Sequence, residues 1–94
     1  MLDIGEIQKK TADIFKIDPA MMTAKKKSAE IAIARQVAMY LARRYTPISL
    51  KAIGDAFGGR DHSTVIHACE LVERKINSDF IFRGKVESVS AFLL

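Results

Sequence analysis

Ninety-four residues, 49% of them hydrophobic and 28% charged, suffice for one small domain with a single core, and exclude two domains or a mainly disordered chain. A formal charge of +4 and a pI near 9.4 suit an acidic partner. The single cysteine, Cys69, excludes an internal disulfide framework, and the lack of a long apolar run or a secretion-type leader excludes a membrane span, so the chain reads as cytoplasmic.

Taken in order, residues 2–16 are expected to form an amphipathic helix, with Ile4, Ile7, Thr11 and Ile14 as its stripe and Phe15 beside it. Asp3 and Glu6 fall near the positive end of that helix and Lys16 near the negative end. Its mixed charges favour packing on a core, with binding to an anionic membrane surface as a minor activity. Asp18 and Pro19 then signal a single turn over residues 19–22, in which Met21 and Met22 fill the core. The run TAKKKS, residues 23–28, is a basic loop.

The next helix is expected over residues 30–45. Ile31, Ala34, Val37, Ala38, Leu41 and Tyr45 fall on one face, and Arg35, Gln36, Met39, Tyr40 and Arg43 on the other. Pro47 ends it, because the residue before a proline avoids the helical region. A short helix follows, capped by Ser49 and marked by Leu50, Ile53 and Phe57; Gly58 and Gly59 stop it. After Arg60, Asp61 is the expected N-cap of a second helix, with Val65, Cys69, Val72 and Ile76 inward and Ser63, His67, Glu70 and Arg74 outward. Residues 79–94 close the chain as a helix packed through Phe82, Val86, Val89 and Leu93, with Phe92 alongside and Gly84 as a weak point. The expectation is all-α, about five to six helices, built around a helix-turn-helix at residues 49–77.

A polar helix start rich in hydrogen-bonding side chains, backed by an apolar face, suits base readout in a major groove. Rival chemistries fare worse. His62 and His67 are one residue too far apart for zinc binding on one helical face, and Cys69 lies on the inward face. His67 and Cys69 point in different directions, so a Cys–His nucleophile is not built. Gly58 and Gly59 lack the lysine of a phosphate-binding loop. Nothing here reads as an enzyme, a metal centre or a cofactor site.

The run GDAFGGRDHSTVIHA, preceded by a lysine cluster and an RQVAMYLAR segment, resembles the signature of the C-terminal DNA-binding domain of the bacterial DnaA replication initiators. The similarity covers nearly the whole chain. It implies double-stranded DNA at replication-origin DnaA boxes as the partner, with ATP handled by a separate upstream domain. It also implies base reading by Asp61, His62 and Ser63 in the major groove and by Lys27 in the minor groove. Backbone contacts are implied for Arg35, Gln36, Arg43, Thr64 and His67, to which Lys25 and Arg60 are added. Lys27 stands where members commonly carry arginine, Ser63 where some carry threonine, and Ala34 where proline is frequent.

Two other readings fit the residues. The same fold could serve as a stand-alone transcription regulator or origin-competing relative, or the basic face could take an acidic protein partner. With no coiled-coil seam, the isolated domain is expected to be monomeric.

Overall fold

The computed structural model describes residues 2–94, and those residues form five α-helices and one 3₁₀ turn. Helix α1 spans Ile4–Phe15, the 3₁₀ turn Pro19–Met22, α2 Ala29–Tyr45, α3 Leu50–Ala56, α4 His62–Ser78 and α5 Phe80–Leu93. The all-helical expectation holds, with boundaries shifted by a residue or two.

Local chemistry accounts for most of these boundaries. The Asp3 carboxylate accepts the Glu6 N–H at 2.9 Å, Asp18 that of Ala20 at 2.9 Å, and Ser49 Oγ that of Ala52 at 3.1 Å. Ser28 caps α2 through the Ile31 N–H, so the helix begins at Ala29, one residue earlier than the periodicity suggested. Asp79 serves twice: its backbone N–H closes α4 on the Lys75 carbonyl, and its carboxylate opens α5 by accepting the Phe82 N–H at 3.0 Å. Helix α1 ends on Lys16 in the left-handed region (φ 58°), unusual for a residue with a side chain.

Helix α2 is the central strut, packed against α1 on one side and α4 on the other. That double burial explains a departure from the sequence reading: Met39, assigned to the outer face, is 2% exposed, and Ala42 is fully buried. The core gathers Ile7, Val37, Leu41, Ile53, Phe57 and Val65 around this strut, and α5 lays Phe82, Val86 and Val89 over it. Phe92 does not join them. It is 68% exposed, with the Lys10 ammonium 5.6 Å from its ring centre. Thr11 is wholly buried, and its hydroxyl meets no hydrogen-bond partner among the described residues.

The helix-turn-helix is held by one close approach. Gly54, buried in α3, lies against the Arg60 carbonyl, and its own carbonyl accepts the Arg60 N–H at 2.9 Å. Between them Gly58 (φ 82°) and Gly59 (φ 78°) take the left-handed turn that stops α3. From α1, Gln8 Nε2 donates 2.9 Å to the Ala56 carbonyl, tying the motif to the rest of the bundle. Among the described residues no helix is long and apolar enough to cross a membrane.

Candidate nucleic-acid interface

The start of α4 carries Asp61, His62, Ser63 and Thr64 exposed in succession, followed one turn later by exposed His67. Val65, Ala68, Cys69 and Val72 anchor the opposite face in the core. The polar end is therefore presented by burial behind it, as the apolar spacing required.

Asp61 occupies the N-cap position but departs from its expected role, since its side chain makes no capping hydrogen bond. One carboxylate oxygen accepts the Ser63 hydroxyl at 3.0 Å, and the other lies 2.9 Å from His62 Nδ1. These neighbours satisfy the acceptor that would otherwise turn onto the helix N–H groups. The Ser63 hydroxyl, foremost, holds the Asp61 carboxyl below the ordinary carboxylate range; desolvation opposes it, and His62 adds to the lowering. Asp61, His62 and Ser63 are thus pre-linked on an exposed surface.

A cleft of about 110 Å³ runs between α2 and α4, bringing together Arg35, Gln36, Arg60, Thr64 and His67. Five of the expected backbone-contacting residues, from three segments of the chain, line one surface. Arg43 does not join them. It lies further along α2 in a separate hollow with Tyr40, Arg44, Cys69, Glu70 and Glu73, where acidic neighbours accompany it. Burial raises the Cys69 thiol above its usual range, and Arg43 partly offsets this.

Arg35 requires a correction. The sequence placed it on the outer face of its helix; the structure leaves it only 6% exposed, at the edge of the cleft. Its Nε donates to the Met21 carbonyl and its Nη2 to the Lys26 carbonyl, both at 2.8 Å. Desolvation first, and repulsion from Arg60 second, lower its pKa from the ordinary arginine value. The guanidinium is occupied by the backbone leading into and through the basic loop, so the side chain serves that loop. Arg60 is likewise engaged: Nη2 donates 3.0 Å to the Ala24 carbonyl, and Nη1 donates to the Phe57 carbonyl.

The basic loop itself keeps Lys25, Lys26 and Lys27 exposed. Sequence reasoning did not find the part played by Gly54. A glycine inside a seven-residue helix is the signal that could have shown it, since glycine there costs helix stability unless another backbone comes close. Among the described residues no three His, Cys, Asp or Glu side chains gather where they could hold a metal ion.

Two helices joined by a tight glycine turn, the second presenting a polar start beside a cationic cleft and loop, define a module of the helix-turn-helix class. The match to a known family is specific: residues 4–72 fit the family described as bacterial dnaA protein helix-turn-helix, and the chain belongs to it. It is 58% identical over 71 residues, 76% of its length, to the chromosomal replication initiator protein DnaA of Azoarcus sp. strain BH72. The same identity and coverage relate it to DnaA of Aromatoleum aromaticum, and it is 51% identical over 78 residues, 83% of the chain, to DnaA of Laribacter hongkongensis. These matches take in 15–16% of the relatives' length.

Proposed function

We propose that this chain binds double-stranded DNA at DnaA-box-type sites in a replication origin, with the start of α4 in the major groove and the 23–28 loop in the adjacent minor groove. The observation that carries the reading is the convergence at one surface of Gln36, Arg60, Thr64 and His67 beside the exposed Asp61–His62–Ser63 triplet. A helix start read edge-on by bases needs polar groups flanking it at the strands, and this surface supplies them. Gln36, Thr64 and His67 are the backbone contacts of that surface, with Lys25 and Lys27 supplying cations from the loop. Asp61 suits the exocyclic amine of cytosine, because its carboxylate is an acceptor throughout the neutral range. His62 and Ser63 complete the base-reading set, and Arg43 would meet phosphate only at the margin of the footprint. The piece binds; any turnover of nucleotide belongs elsewhere in a longer protein of this family.

The test is selection of duplex targets from a random pool by the purified chain at near-physiological salt, followed by titration of the selected site and a shuffled control. A shared motif, with affinity at least ~100-fold above the control, is the expected result. Equal binding to both would reject the reading. Tighter binding to an acidic polypeptide than to any duplex, at matched salt, would favour a protein partner instead.

A further inference from the structure

Arg60 belongs to the helix-turn-helix turn, yet its guanidinium reaches out of the motif. One arm donates to Phe57 at the end of α3, and the other donates 3.0 Å to Ala24, 36 residues earlier, at the foot of the basic loop. A single planar fork thus bridges the turn and the loop. Arg35 holds the same segment from α2, through the carbonyls of Met21 and Lys26. A third contact involves no side chain. Gly58 sits where a β-carbon would come 2.5 Å from the Thr23 carbonyl, so only glycine lets the loop approach the turn this closely.

We infer that Arg60 is a positioning residue for the minor groove: it sets the place of the 23–28 loop relative to the Asp61 end of α4, so that two grooves are read at one fixed spacing. The inference rests on the two-groove reading proposed above. A loop free in solution must lose conformational freedom when it enters a groove, and the loss weakens binding; a loop already tied at Thr23, Ala24 and Lys26 loses less. Arg60 also directly precedes Asp61 in the chain, so the anchor of the loop and the start of the reading helix move together. Lysine could not substitute, because its ammonium has no planar fork to span two carbonyls.

Arg60→Lys keeps the charge and removes the fork, which separates positioning from plain attraction to phosphate. The wild type and the variant are titrated with the selected duplex and with one whose loop-side adenines are replaced by 2,6-diaminopurine. That base adds an amine in the minor groove and leaves the major-groove edge of adenine unchanged. Wild type is expected to lose about tenfold on the modified duplex. Arg60→Lys is expected to bind both duplexes alike, at the weakened level, while a base-pair exchange beneath α4 costs both proteins the same factor. Full diaminopurine discrimination by Arg60→Lys overturns the inference. So does a uniform loss on every duplex, the mark of a direct phosphate ligand.

A wild type indifferent to diaminopurine but selective under α4 removes the minor-groove half of the proposed function, and the inference with it. A wild type without sequence preference rejects the proposed function itself. Should Arg60→Lys fail to fold, Gly58→Ala and Gly59→Ala decide the matter. Both residues are left-handed, but a side chain at Gly59 meets nothing within 4 Å. Loss of diaminopurine discrimination in Gly58→Ala alone supports the inference, and equal discrimination in the two variants overturns it.

Discussion

The carbonyl of Arg60 rests against the α-carbon of Gly54, in space that any β-carbon would have to occupy. The obstructing atoms are backbone, so no rotamer change can relieve the conflict. The Arg60 N–H also donates to the Gly54 carbonyl at 2.9 Å, which fixes the turn from both directions. Gly54→Ala is therefore expected to destabilise the fold by about 1–3 kcal/mol, the usual cost of overpacking, with the Arg60 backbone bond lost as well. Urea denaturation measures this, and a stability within ~0.5 kcal/mol of wild type would show that the turn is not clamped here.

Gly84 is the opposite case. It lies in the exposed part of α5, and a β-carbon there meets nothing within 4 Å. Gly84→Ala should raise stability by about 0.5–1 kcal/mol, because alanine loses less backbone entropy in a helix. The same denaturation experiment checks it; a loss of stability would mean that the outer face of α5 is not open.

Arg35→Met keeps most of the buried stem and removes the donors to Met21 and Lys26. Hydrogen bonds from charged groups contribute about 1.5–3 kcal/mol each. Opening of the basic loop should become easier by about 2 kcal/mol or more, and tryptic cleavage after Lys25, Lys26 and Lys27 should speed up at least ~10-fold under native conditions. Mass spectrometry locates the cuts. Unchanged cleavage within the loop would show that Arg35 does not hold it.

Cys69 links stability to alkaline pH. Burial raises its folded pKa, so the unfolded chain releases the thiol proton first as pH rises. The folded state binds more protons in that window, and its stability must fall with increasing pH. The contribution is fully present below the ordinary thiol pKa of about 8.5 and is lost progressively as pH rises from there through the raised folded value. Cys69→Ala, compared with wild type in a series of urea midpoints, should flatten this part of the profile. Parallel curves for the two proteins would contradict the assignment.

His62 tests base reading directly. It is exposed, linked to Asp61 through Nδ1 at 2.9 Å, and supports nothing in the core. His62→Ala should cost about 1–3 kcal/mol on the selected duplex and only a few tenths on shuffled duplex. Equal losses on both would move His62 from base reading to general affinity.

What the amino-acid sequence determined by itself was most of what is set within one helical turn or one tight turn, the side chain of Asp61, drawn to Ser63 and His62 instead of capping α4, being the local exception. Apolar spacing predicted all five helices, and Asp18 and Ser49 marked where local capping begins two of the elements. The glycine pair and the polar start of α4 carried the family resemblance, because a motif made of consecutive residues needs no distant partner to be recognised.

What only the tertiary structure decided was the direction of the long cations and the identity of the surfaces that cover them. Periodicity put Arg35 on a polar face, but the 3₁₀ turn and the basic loop fold back over that face and present their carbonyls to it. Arg60 found its partner 36 residues away at Ala24, and Met39 lost its exposure because α2 is packed on both sides. A flexible guanidinium goes where unpaired carbonyls are within reach, and the pattern along a single helix contains no record of which carbonyls the rest of the chain will bring there.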